Sequence, residues 1–178
     1  MSYNTDIRHR RSIRLKYYNY SQNGAYFITL CTHHRQCLFG KIEHNLMLLN
    51  QFGEIVRDEW IKSFEIRKEI LIDEFVIMPN HFHCIVFISH SVPLKNKDFS
   101  RVIGPSNKSI GALISGFKSV VTTKINQVRN TPFQLVWQRN YHEHIIRNEK
   151  SLQNIREYTK NNPCTWRSDS LFLDPVLS

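Results

Sequence analysis

Residues 76–94 contain no Asp, Glu, Lys or Arg. Within and just before this stretch, Ile70–Met78 and His81–Ser89 are runs of β-branched and aromatic residues, broken only at Pro79-Asn80. Two strands joined across so short a break pair as an antiparallel hairpin. The chain is thereby committed to an antiparallel sheet, and its remaining segments have to be placed around that hairpin.

Ala25–Thr32 (A-Y-F-I-T-L-C-T) has strand composition and follows a turn signal at Asn23-Gly24. Residues 46–64 set Leu48, Leu49, Phe52, Ile55, Val56, Trp60 and Phe64 at helical spacing, with charged residues between them, and predict an amphipathic helix. Residues 90–108, rich in Ser, Asn, Lys, Pro and Gly, predict a basic loop. Helical period returns over 109–129 through Ile110, Leu113, Ile114, Phe117, Val121 and Ile125. Short strands are expected at Phe133–Gln138 and His142–Arg147. A last helix is expected over roughly 149–161, capped by Asn148 and closed by Asn162-Pro163. The order is β, α, β, β, α, β and a further helix. This predicts an α+β fold of the ferredoxin-like kind (βαββαβ), an antiparallel sheet with helices on one face and an added C-terminal helix. The 178 residues suit one compact domain. We divide them into a basic N-terminal arm (1–22), the domain itself (23–166) and a C-terminal tail (167–178).

The formal net charge is +9, and its placement is uneven. Arg8, Arg10, Arg11, Arg14 and Lys16 crowd the arm, with Tyr17, Tyr18 and Tyr20 close behind. A second basic segment spans 95–129, and the stretch between the two is acidic over 43–75 and uncharged over 76–94. Clustering of this kind favours a polyanion partner, most simply nucleic acid, over a basic surface kept for solubility. The arm could supply phosphate contacts and base stacking, or be a solvated tail. No apolar stretch reaches the roughly 20 residues that span a bilayer. The N-terminus lacks the apolar core of a signal peptide, so a cytoplasmic protein without membrane contact is expected. Cys31, Cys37, Cys84 and Cys164 form no C-x-x-C pair, so no zinc-finger spacing exists and reduced thiols are expected. No P-loop or dinucleotide fingerprint occurs, and no nucleotide cofactor is expected.

Three groupings have chemical potential. In Met78-Pro79-Asn80-His81-Phe82-His83 the two imidazoles are i and i+2 on a strand and share a face, while Phe82 points to the apolar side. Such a pair is half of a divalent-metal site, though a solvated strand face also holds two histidines. His142-Glu143-His144 competes for that role, but its central residue would then turn a carboxylate to the core. These two histidines read better as residues near a DNA-facing surface or as structural ones. On the last helix Tyr158 and Asn162 are i and i+4, one turn apart on one face. A phenol and an amide could then approach a shared centre, but by spacing alone they read better as a half-buried ring and a helix C-cap before Pro163.

The segments S-I-R-L-K-Y-Y-N-Y-S-Q-N-G-A-Y-F-I-T-L-C-T, V-I-M-P-N-H-F-H-C-I-V and W-Q-R-N-Y-H-E-H-I-I-R-N-E, followed by I-R-E-Y-T-K-N-N-P, resemble the REP-associated tyrosine transposases of the single-tyrosine HUH superfamily. The likeness runs in order from about residue 12 to residue 166. It implies His81 and His83 as paired metal ligands and Tyr158 as the nucleophile. Tyr141, beside histidines and near Arg139, is a rival, placed second because the family motif puts the reactive tyrosine on the final helix. Asn162 stands where insertion-sequence relatives usually carry glutamine as a third ligand, one methylene longer. It implies a divalent ion, Mg²⁺ or Mn²⁺. The activity implied is DNA transposition chemistry, an endonuclease and strand-transfer reaction on single-stranded or hairpin DNA through a 5′-phosphotyrosine. Arg156 and Lys160 are expected to favour the phenolate, and Arg139 and Arg147 join the arm as DNA contacts. Family members occur as monomers or dimers, which leaves homodimerisation open. Two other readings stand beside it, a non-catalytic single-strand binder and a water-using metal phosphodiesterase.

Overall fold

The computed structural model describes residues 23–89 and 109–173. The arm residues Arg8, Arg10, Arg11, Arg14 and Lys16, and the basic loop expected over 90–108, lie outside the described residues. Gly24–Cys31 is strand β1, Gly40–Glu43 is β2 and Leu46–Leu49 is β3. Helix α1 covers Gln51–Ile66, and Ile70–Ile77 and His81–Ile88 are β4 and β5. Helix α2 covers Ile110–Val128, His142–Ile146 is β6, and Glu149–Asn161 is α3. The main sheet has the order β4-β5-β1-β6, with every pair antiparallel. This is the expected ferredoxin-like α+β arrangement, and β2 and β3 form a separate two-stranded hairpin inserted before α1.

That hairpin corrects the helix expected to begin at residue 46. Leu46–Leu49 is extended and pairs with Gly40–Glu43, and the turn between them places His44 and Asn45 at φ 50° and 63°. Two successive positive φ values define the tight hairpin turn whose twist matches its strands. Asn50 then ends the strand and starts the helix: its Oδ1 accepts from the Phe52 and Gly53 amides at 2.9 and 3.0 Å. Gly53 sits where a Cβ would run into the Phe39 carbonyl oxygen. The expected strand at Phe133–Gln138 also fails to form. Asn130 and Phe133 adopt positive φ around Pro132, and only a single bridge, Thr32 to Trp137, joins this segment to the sheet.

The two faces of the sheet are built differently. Tyr26, Ile28 and Leu30 of β1, with Phe82, Cys84, Val86 and Ile88 of β5, point toward α1 and α2 and form the main core. Trp60, fully buried, lies 4.9 Å from Phe82 and 5.1 Å from Phe117 between ring centroids, both edge-on. Such ring pairs add about 0.5–1.5 kcal/mol each beyond their buried area. The opposite face carries a small apolar cluster of Ile85, Ile146 and Leu152, with Phe27 and Ile155 packed against it. Helix α3 crosses this face from β6 toward β4. Its start is capped by Asn148, which accepts from the Ser151 amide at 2.9 Å. Its far end is tied to a β4 irregularity between Ile72 and Phe75. There Asp73 meets Arg156 at 2.6 Å and Glu74 meets Lys160 at 2.9 Å. A bulge re-aims side chains out of strict alternation, and this one presents two carboxylates to the helix that carries Tyr158.

Among the described residues no helix is long and apolar enough to cross a membrane. All four cysteines are free, with Cys31 and Cys84 buried.

Candidate active site

Alternation along β5 sends Phe82 into the core and His81 and His83 onto the α3 face, as the i, i+2 spacing predicts. Both imidazoles are nearly sealed from solvent, at 0 % and 3 % exposure, with ring centroids 4.5 Å apart. Each is held by its Nδ1. His81 Nδ1 lies 2.8 Å from Asn80 Oδ1, and His83 Nδ1 lies 2.8 Å from Thr29 Oγ1. The Asn80 carbonyl selects the tautomer with the proton on His81 Nδ1, leaving the Nε2 lone pair to face the cluster. That Nε2 is buried and has no hydrogen-bond partner. Burial pushes the pKa of both rings down, opposed by the Asp169 charge, to about 4 for His81 and about 3 for His83, where the neighbouring His81 adds to the effect. At neutral pH both are neutral bases, the state that binds a metal.

Helix α3 brings Tyr158 over this pair. The phenol oxygen lies 3.3 Å from His83 Nε2, and the ring packs edge-on against Phe27, itself stacked on His83 at 5.0 Å. Asn162, one turn on, is fully buried; its Nδ2 donates to Asp169 Oδ2 at 2.9 Å, and its Oδ1 has no partner. Asp169 Oδ2 also accepts from the Tyr158 hydroxyl at 3.2 Å. His81, His83 and Asp169 place one candidate ligand atom each within 4.8 Å of one another. Two neutral imidazoles and a carboxylate are a common donor set for a divalent ion. The orphaned His81 Nε2 and Asn162 Oδ1 are the atoms such an ion would satisfy, so the residues fit a metal.

Asp169 is the residue that sequence reasoning missed. It lies in the stretch set apart as a tail, yet the chain turns back after Pro163. Trp166 packs beside His81, and Asn80 Nδ2 donates to the Leu171 carbonyl at 2.8 Å. Burial draws the Asp169 carboxyl up, but the Leu171 amide, Asn162 and the His81 and Tyr158 contacts outweigh it and leave the pKa below the ordinary value. Burial, then the Asp169 charge and hydrogen bond, raise Tyr158 to about 12. Arg156 and Lys160, expected to favour the phenolate, are instead paired with Asp73 and Glu74. Tyr141 packs on the α1/α2 side of the sheet with the main core. Glu143 lies on that side too, as its place between the two histidines requires. His142 and His144 are exposed on the site face but stand outside the His81–His83–Asp169 group. Arg139 and Arg147 are exposed on either side of β6.

No model of a known protein family matches the chain. An uncharacterized protein of Haemophilus influenzae (strain ATCC 51907 / DSM 11121 / KW20 / Rd) is 44 % identical to it over 178 residues, covering 97 % of this chain and 98 % of that one. The two belong to one family. Among solved structures, that of a REP-associated tyrosine transposase bound to a REP hairpin is similar, with TM-score 0.57 and 22 % identity over 88 % of this chain and 74 % of that one. The chain therefore shares its fold with that transposase.

Proposed function

We propose that the protein is a single-tyrosine transposase-like enzyme that cuts and rejoins single-stranded or hairpin-containing DNA through Tyr158. The observation that carries this reading is the 3.3 Å approach of the Tyr158 hydroxyl to His83, one of two buried histidines grouped with the half-buried Asp169. The sequence resemblance over residues 12–166 and the shared fold support it.

His81, His83 and Asp169 would hold the ion, with the Asn162 carbonyl beside them. Mn²⁺ suits imidazole donors better than Mg²⁺, which prefers oxygen. When bound, the divalent ion supplies positive charge that polarises a phosphate oxygen and offsets the charge on Asp169. Tyr158 attacks phosphorus: the tyrosyl O–P bond forms, the P–O3′ bond breaks, the phenolic proton departs and O3′ leaves as a hydroxyl. One phosphodiester replaces another, so rejoining requires no nucleotide cofactor. Asp169, already accepting a hydrogen bond from the phenol, is the nearest acceptor for its proton. Because Tyr158 and His83 of one chain already meet, a single copy suffices for the reaction, and a homodimer is not required by it.

The test is incubation of an end-labelled hairpin oligonucleotide with the protein and Mn²⁺, read on a denaturing gel. A covalent adduct that disappears in Tyr158→Phe is the expected result. Cleavage that survives Tyr158→Phe but is lost in His81→Ala identifies a water-using phosphodiesterase instead. A mobility shift with no adduct identifies a binding protein.

A further inference from the structure

The His142-Glu143-His144 motif is not used by the chemistry above, yet the sheet places it beside the site. In the β1–β6 register Thr29 faces His142 and Phe27 faces His144. Directly opposed residues of an antiparallel pair project to one face. Thr29 and Phe27 are the two β1 residues that touch His83, by hydrogen bond and by ring stacking. His142 and His144 therefore continue the site face outward by one strand. They lie two strand spacings from β5, on the order of 10 Å.

This edge is open because α3 leaves it. Leu152 packs with Ile146 at the end of β6, and the helix then runs toward β4, where Arg156 and Lys160 are paired. The His142 and His144 side chains are left exposed, with no side-chain hydrogen bond, ion pair or ring contact to other described residues. Arg139 and Arg147, also exposed and without ion pairs to described residues, bracket the strand. The result is a band of exposed imidazoles on the site face, one strand beyond the Phe27–Tyr158 ring contact, with Arg139 and Arg147 in sequence on either side of it.

We propose that this β6 edge is the track for the single-stranded DNA segment next to the scissile phosphate, with His142 and His144 as its contacting residues. The occupant is a single strand because an exposed imidazole offers both a ring for base stacking and an N–H for a phosphate oxygen. The flanking arginines complement the charge of its backbone, and the band lies one strand beyond the Phe27–Tyr158 contact. The proposal rests on the reading of that site as a DNA-processing centre, and it names where the substrate lies.

The experiment measures binding of a fluorescein-labelled oligo-dT by anisotropy, in Tyr158→Phe so that cutting plays no part. Adding His142→Ala and His144→Ala should weaken binding about fivefold or more, the loss expected for one stacked base. His44→Ala, which removes an exposed imidazole in the β2–β3 turn and not on β6, should leave binding unchanged. If the double change lowers the melting temperature, the single His142→Gln and His144→Gln changes serve in its place. Binding within twofold of the parent in folded variants overturns the proposal. The adduct assay separates the two failures. A wild-type chain that binds oligo-dT through these histidines but forms no adduct defeats the chemistry and leaves the track standing. Adduct formation that is indifferent to both histidines defeats the track and leaves the chemistry standing. Binding that rises only with added Zn²⁺ marks the pair as a metal chelate and also defeats the track.

Discussion

The two faces of the central sheet use the same strands for opposite purposes. Toward α1 and α2, side chains from β1 and β5 meet Trp60, Phe117 and Val121 in a continuous apolar core. Toward α3, the apolar cluster is small, and what fills the rest is two imidazoles, an amide, a phenol and a carboxylate. Most of the buried apolar side chains lie on the first face; each face keeps buried polar atoms without partners, Trp60 Nε1 and Trp137 Nε1 on the first and His81 Nε2 and Asn162 Oδ1 on the second, where they belong to the polar cluster. Such atoms cost free energy in the fold, and the first face offsets that cost.

The contrast breaks most sharply under substitution of neighbours on β5. Phe82→Ala removes a fully buried ring in contact with Trp60 and Phe117 and should destabilise by about 3–5 kcal/mol in denaturant unfolding. His81→Ala, one residue away on the other face, should cost clearly less in metal-free protein. Equal losses would mean that the faces do not divide the work.

Added metal sharpens the comparison from the other side. Mn²⁺ at about a hundred times its dissociation constant should stabilise the wild-type chain by about 2.7 kcal/mol. His81→Ala should abolish the gain, while a milder core change such as Val121→Ala should keep it. A thermal shift that persists in His81→Ala would place the ion elsewhere.

Acid should act on the α3 face through its histidines. An unfolded histidine binds its proton near the ordinary value of about 6.5, whereas folded His81 and His83 resist it down to about 4 and about 3. The unfolded state thus binds more protons as pH falls below 6.5, and stability is lost by up to about 1.4 kcal/mol per pH unit for each ring. Above pH 7 the two states bind alike and this contribution is flat. In EDTA, His81→Gln with His83→Gln should show a shallower decline in unfolding free energy between pH 6.5 and 5. An unchanged slope would assign the acid response to other groups.

The smallest effect is expected where α3 is fastened. Asp73→Asn weakens the 2.6 Å, part-exposed pair with Arg156 and should lower global stability less than any change above. Its informative readout is faster amide exchange in α3 with α1 and α2 unchanged. Uniform acceleration would show that the helix is not a separable layer.

The parts legible in the sequence are those whose signal is local. The hairpin at Pro79-Asn80, the shared face of His81 and His83, and the Asn148 cap of α3 all follow from spacing and composition within a few residues. Leu46–Leu49 misleads because Leu48, Leu49 and Phe52 fit a helical period as well as a strand followed by a turn of helix. The turn at His44-Asn45 and the Asn50 cap decide the matter. Asp169 had no local signal at all. Its place depends on a reversal after Pro163 and on a hydrogen bond between Asn80 and Leu171, which only the folded chain brings together. His142 and His144 were readable as a pair, but their relation to His83 required the register of β1 against both of its neighbours.

Strand β5 has one further consequence. Phe82 belongs to the core and His81 and His83 to the site, so a one-residue slip of this strand would drive the imidazoles among Trp60 and Phe117 and push Phe82 out under Tyr158. Misfolded copies with that slip would lose both the packed interior and the histidine pair at once. The chain thus has a built-in proofreading of its own assembly: no copy with β5 out of step can bring His81 and His83 up to Tyr158.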